Sequence, residues 1–316
     1  MFKLLFSVKP YVVSSRSSKK LLDNLCLDDS PILFDGLQTC AFLNHPALQN
    51  RKKYVRANNI EHTYYRELAG VERNFLKRKY LDREADRLAF FELELKHATK
   101  IFAVAKMDVE HFSQYTKTIH VPPFFNTDHA RRDVNKSGID GRFILFQGNL
   151  RVRENELAAK FIINKVAPLI RHKVVIAGKS PSSWLKNEAS VQENVKMIDT
   201  PTSIQMDSLI QHAHIHLLIT FQQTGIKLKL LHALDSGKHI IINSKMDDAG
   251  TFATLCAVED NAEGMAKRIE KMMKIEFTPE MYAERKEKFS RLFNNQLNAK
   301  KIVEEIFTQI SPAQMD

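Results

Sequence analysis

Short apolar runs alternate with amphipathic stretches along the second half of the chain. The runs occupy 143–149 (FILFQGN), 173–179 (KVVIAGK), 195–199 (VKMID), 214–220 (HIHLLIT) and 239–243 (HIIIN). They are near-continuously apolar and short, as strands covered on both faces must be. Between them, ENELAAKFIINKVAPLI, SPSSWLKNEA, SIQMDSLIQHA and TGIKLKLLHALDSGK place apolar residues three and four apart, the spacing of a helix with one buried face. This βαβ series predicts a parallel sheet wound in the Rossmann manner, because crossovers between parallel strands are right-handed.

The first half alternates as well, with strand candidates at 30–37, 52–60, 100–105 and 117–124. A long helical stretch from Glu61 to about Ala98 separates the second from the third, and Gly70 is its expected break. Asn126 to Gly141, charged and holding Ser137, Gly138 and Gly141, reads as a linker. From Pro279 to Ile310 the pattern is helical and basic, with Thr278 placed to cap it. The expected fold class is α/β with two Rossmann-like domains, residues 1–140 and 141–277, followed by a helical segment 278–316.

Composition narrows the partners. The 316-residue chain is 44% apolar and 27% charged, which excludes collagen-like, low-complexity and disordered classes. A net charge of +10 points to an acidic partner: nucleic acid, anionic lipid or a phosphorylated ligand. Cys26, Cys40 and Cys256 are too few and too scattered for a disulfide framework, and a reducing, cytoplasmic setting is the expectation. Lys9 and Pro10 interrupt the apolar start before a signal-peptide core is reached, and no run approaches a membrane span.

Three strand-to-helix turns carry candidate chemistry. After 214–220, Thr224, Gly225 and Ile226 open a helical stretch in which Lys227 and Lys229 follow, a place for a phosphate held by backbone N–H groups and two ammonium charges. The same two lysines also fit an ordinary solvated helix face. After 143–149, Gly148, Asn149, Arg151 and Arg153 precede a helix expected to begin near Asn155, and arginine suits bidentate phosphate contact. Gly178 and Lys179 lead into Ser180 and Pro181, where contact with a nucleotide base or ribose competes with a plain capped turn. His212, His214 and His216 alternate at a strand entrance without a third ligand of suitable spacing, and no metal site is expected.

These segments resemble the glycosyltransferases of GT-B architecture, in the large retaining group that uses nucleotide-sugar donors. FILFQGNL, VVIAGK and TGIKLKLLHALDSGKHIII are similar to that group's donor-binding domain in order and spacing. ILFDGLQTCAFL, VRANNIEHTYYRELA, EADRLAFFELELKHA and HVPPFFN resemble the amino domain of a bacterial branch, and LFNNQLNAKKIVEEIF its terminal helix, which packs back across the domains. The resemblance runs along nearly the whole chain. It departs from the family in three places. Thr224 and His232 stand where a Glu-x(7)-Glu pair is common, and neutral His232 can accept a ribose hydroxyl as the second Glu does. Asn58 stands where the family's Arg-x-His-Asn-Ile-Glu segment has His, two residues after Arg56 and three before Glu61. The chain also enters the amino domain midway, at KPYVVSSR, so that domain is expected to be incomplete and to offer an apolar gap to a protein partner.

The resemblance implies transfer of a sugar from a UDP- or GDP-sugar to a glycan or lipid-linked acceptor, as in bacterial polysaccharide biosynthesis. Arg151, Arg153, Lys227 and Lys229 would neutralise the departing diphosphate without a metal cofactor. Asn58 and Glu61 would line the amino-domain edge. Excess positive charge also suits peripheral contact with an anionic membrane. A catalytically inactive relative, serving as nucleotide-binding or scaffold partner of an active transferase, is the alternative; nucleic-acid binding rests on charge alone and is not expected.

Overall fold

The computed structural model of the chain describes residues 9–125 and 138–307. Most of the expected linker 126–141, and residues 308–310 of the last helical pattern, lie outside the described residues. Two compact units result, one drawn from Met1–Phe124, Thr224–Ile226 and Asn294–Asp316, the other from Phe125–Gln223 and Lys227–Phe293.

In the first unit, β1 (Ile32–Asp35), β2 (Lys53–Ala57), β3 (Lys100–Ala103) and β4 (Thr118–His120) form one parallel sheet in sequential order. Alternation along each strand sends neighbouring side chains to opposite faces. Val55 and Ile101 join Phe34, Leu88, Phe91 and Phe112 in one core. Tyr54 and Phe102 point the other way and pack with Val121, Ile302 and Ile306. The last two belong to helix Asn295–Phe307, which Lys100 ties down through an ion pair with Glu305 and Lys301 through the His120 carbonyl at 2.9 Å.

The long helical stretch does break, but not at Gly70, which lies inside helix Glu61–Val71 with open space around it. The interruption falls at 72–74. Glu72 turns to ψ 130°, its carboxylate accepts the Asn74 N–H at 3.0 Å, and the Asn74 side chain caps helix Phe75–Glu92 by accepting from Lys77 N–H at 3.0 Å. An amide able to satisfy a helix start outcompetes a glycine that the helix tolerates.

In the second unit, β5 (Phe143–Gly148), β6 (Lys173–Gly178), β7 (Val195–Asp199), β8 (Ile215–Leu218), β9 (His239–Ile242) and β10 (Ala257–Val258) form a parallel sheet ordered β10-β9-β8-β5-β6-β7. This is the doubly wound Rossmann order, and its direction of winding reverses between β5 and β8. Strand β10 has no counterpart in the sequence reading, since two residues leave no periodicity to read. Ile144, Phe146, Val174 and Ile176 pack on one face under helices 153–161 and 262–272. Phe143, Leu145 and Val175 pack on the other face against Leu209 and Ile210.

Thr278 does cap helix Pro279–Leu292, accepting from Met281 N–H at 3.3 Å. That helix stays in the second unit, where buried Arg285 donates to the carbonyls of Gly237 and Lys238. The chain breaks at Phe293 and returns to the first unit, so the segment expected at 278–316 is two helices shared between the units. Among the described residues no helix is long and apolar enough to cross a membrane.

Candidate nucleotide-sugar site

Strands β5 and β6 end together, with Gly148 and Gly178 in register. Beyond them opens a cleft of about 360 Å³ in the second unit, lined by Gln147, Gly148, Asn149, Gly178 and Lys179 from the strand ends. Pro201, Ser203, Met206, Asp207 and Ile210 close one side, and His232 reaches in from helix Leu228–Ser236. Ligands of doubly wound sheets sit outside the carboxyl ends of the strands near the switch point, and this cleft has that position. The His232 ring meets the edge of Phe125 at 5.0 Å, which fixes its plane.

The helix after β5 begins at Arg153, two residues before the expected start, because Glu154 and Glu156 fold back into buried polar contacts. Glu156 pairs with Arg153 and accepts from the Ser182 hydroxyl; Glu154 accepts from the Thr220 hydroxyl. Asn149 accepts the Arg151 N–H at 3.2 Å with its side chain and the Asn155 amide at 3.1 Å with its carbonyl. Of the four candidates on this turn, Gly148 and Asn149 line the cleft; Arg151 and Arg153 do not.

The turn after β8 also differs from its reading. Helix Leu228–Ser236 starts with Lys227 as its N-cap, so Thr224, Gly225 and Ile226 lie in the loop before it and group with the first unit. Gly225, at φ +70°, donates its N–H to Asp108 at 3.3 Å, and the Thr224 hydroxyl donates to Asn59. A glycine is needed at that left-handed position. Lys229 is the second residue of the helix and donates to Asn155 Oδ1 at 2.9 Å and to the Ile219 carbonyl at 3.5 Å. Its ammonium also stands 4.9 Å from the centre of the Phe146 ring. Burial pushes its pKa down to about 8; Glu154 opposes the shift and Lys227 adds to it. After β6, helix Ser183–Ser190 is capped by Ser182, whose hydroxyl accepts from Leu185 N–H at 3.1 Å; Ser180 takes φ +51° before it.

In the first unit, Asn58 is exposed and donates to Asp35 Oδ1 at 3.0 Å. Glu61 opens helix Glu61–Val71, and burial together with the nearby Glu92 charge raises its pKa to about 7, against the pull of Arg16. The strand histidines hold carbonyls: His214 Nε2 lies 3.0 Å from Met272 O and His216 Nε2 3.0 Å from Ile210 O.

Sequence reasoning missed Gln147, which is buried at the edge of the cleft with no hydrogen-bond partner for its Nε2. The signal was present as one amide within the apolar run FILFQG. Ser203 and Asp207, which also line the cleft, lie within the SIQMDSLIQHA stretch, where only the apolar spacing carried a signal.

The family model described as "Glycosyl transferases group 1" matches residues 141–274. No curated protein sequence matches the chain. Among solved structures, the fold resembles that of OtsA in its apo form, at TM-score 0.69 and 10% identity over 96% of this chain and 78% of that one. An alpha,alpha-trehalose-phosphate synthase (UDP-forming) from Burkholderia vietnamiensis is similar at TM-score 0.68 and 10% identity, over 94% and 79% of the two chains. TarM is similar at TM-score 0.64 and 13% identity, covering 94% of this chain and 58% of its own. The chain thus has the GT-B fold, and its residues 141–274 match the glycosyl transferases group 1 model.

Proposed function

We propose that the second-unit cleft binds a UDP- or GDP-sugar and that the sugar passes to a glycan or lipid-linked acceptor. Lys229 carries this reading: a desolvated ammonium near Lys227, in the first turn of the helix that presents His232 to the cleft, though neither lysine is among the residues that line it. As a glycosidic donor bond breaks, negative charge grows on the departing diphosphate, and preorganised ammonium groups stabilise it most there. The two lysines can do this without a metal. Gln147 supplies an unpaired donor for a base or ribose oxygen, and His232 a ring nitrogen for a ribose hydroxyl. One similar structure is named UDP-forming, which puts uridine nucleotides first in any trial.

For the acceptor, we favour a lipid-linked glycan approached at an anionic bilayer. Helix Phe75–Glu92 supports this, with Phe75, Leu76 and Phe90 exposed beside Lys77, Lys79 and Arg83. A thermal-shift series with UDP, GDP, ADP and dTDP and their sugars tests the donor assignment. Saturating ligand at about 100 times its dissociation constant adds about 2.7 kcal/mol to stability. A shift selective for one nucleotide is the expected outcome; a folded protein indifferent to all of them would favour the scaffold alternative.

A further inference from the structure

We propose that His62, Glu92 and His111 of the first unit form a binding site for a divalent transition-metal ion of the zinc type. Three separate helices deliver the groups: Glu61–Val71, Phe75–Glu92 and Val109–Ser113. His62 Nδ1 lies 2.5 Å from one oxygen of Glu92 and His111 Nε2 lies 2.5 Å from the other. The ligand atoms all fall within 4.8 Å of one another. Four-coordinate zinc with bonds of about 2.1 Å asks its donors to stand about 3.4 Å apart, so modest side-chain rotation would seat an ion among the three.

The donor chemistry selects the class. Two imidazoles and one carboxylate suit zinc and its first-row neighbours better than calcium or magnesium, which prefer an all-oxygen shell. Glu92 is fully buried, while the His62 and His111 side chains are 20% and 24% exposed. The carboxylate thus forms the floor of the site and the imidazoles its open side, leaving an entry path and room for a water or further ligand. Glu92 is a fully buried carboxylate whose two oxygens both face imidazoles, and a cation among the three would compensate its buried charge directly. Gln114 stands 3.4 Å from His111 Nδ1, placed to orient that ring through its other nitrogen. The ion would pin three helices of the first unit to one point.

The test uses the full chain, stripped with chelator and titrated calorimetrically with Zn²⁺ and then Co²⁺. The expected result is one ion per chain, a raised melting temperature, and a visible Co²⁺ spectrum of low-symmetry coordination. His62→Asn and His111→Gln place an amide donor near the original ring nitrogen, so Glu92 keeps its hydrogen bonds while a ligand is lost. Each should weaken uptake by at least about 100-fold, beyond what loss of an outer-shell partner causes. X-ray absorption on the zinc-loaded wild type should find two imidazole ligands, a readout that needs no variant. Absence of stoichiometric uptake, a spectrum without two imidazoles, or uptake unchanged in both folded variants would overturn the assignment.

Discussion

A side chain on Gly178 would place its Cβ 1.9 Å from the carbonyl oxygen of Gly148. The two residues are register partners at the ends of β6 and β5, where both border the cleft. A backbone carbonyl cannot swing aside as a flexible side chain can, so the strand ends approach this closely only with glycine at 178. Gly178→Ala should part the strand ends, cost about 1–3 kcal/mol as overpacking does, and remove the nucleotide-induced thermal shift. Denaturant melts with and without nucleotide measure both effects. Unchanged stability and binding would mean that the close approach is not needed.

If the proposed donor assignment holds, Lys229 gives nucleotide binding a pH dependence. Its ammonium, depressed to about 8 by burial, is charged below that pH and neutral above it. A bound diphosphate favours the charged form, so affinity should hold below pH 8 and then fall by up to about tenfold per unit as pH rises. Isothermal titration of the nucleotide from pH 6.5 to 9.5 reads this directly. Lys229→Ala should bind weakly and lose the fall above pH 8, while the Lys227→Ala, Lys229→Ala double variant should not bind measurably. A wild-type profile flat through pH 9 would remove Lys229 from the phosphate contact.

His216 sets a limit on acid stability. It is fully buried in β8, donates Nε2–H to the Ile210 carbonyl at 3.0 Å, and leaves Nδ1 without a partner. Burial lowers its pKa from the ordinary 6.5 to about 3. Between those values the unfolded chain takes up a proton that the folded one refuses. Stability from this group is therefore complete above 6.5 and falls toward pH 3, at about 1.4 kcal/mol per unit. His216→Leu should be less stable at pH 7, having lost the carbonyl contact, yet show a shallower decline between pH 6 and 4. Urea titrations across that range compare the slopes, and parallel slopes would refute the role.

Most strands could be read from the chain because β5, β6, β8 and β9 are buried on both faces, and burial leaves a continuous apolar signature. The Thr278 cap was legible for a related reason, since a hydroxyl before Pro279 satisfies an orphan N–H locally. What failed depended on contacts distant in sequence. Thr224 and Gly225 read as a helix opening, but Asn59 and Asp108 hold them in a loop. Arg153 read as a phosphate ligand, but Glu156 one turn later takes its guanidinium. The grouping of His62, Glu92 and His111 is invisible along the chain, because no spacing rule joins residues from three helices.

Helix Phe75–Glu92 yields the last prediction. Its exposed Phe75 at 63%, Leu76 at 75% and Phe90 at 66% give it an unusual apolar exterior. At about 100° per residue, these three, with Tyr80, Lys79 and Arg83, fall within one arc about 140° wide. Such a face can sink its apolar groups among lipid headgroups while its cations meet anionic lipid, each cation contributing about 1 kcal/mol near the surface. Co-flotation with phosphatidylglycerol-containing vesicles should therefore be strong at low salt and weak at high salt, with little binding to zwitterionic vesicles. Phe75→Ser with Leu76→Ser should reduce flotation several-fold without lowering stability, because both side chains are already in water. Lys79→Glu with Arg83→Glu should reduce it further and abolish the preference for anionic lipid. Failure to float with anionic vesicles at low salt would sever this helix from the acceptor proposal and leave the donor site to be judged on nucleotide binding alone.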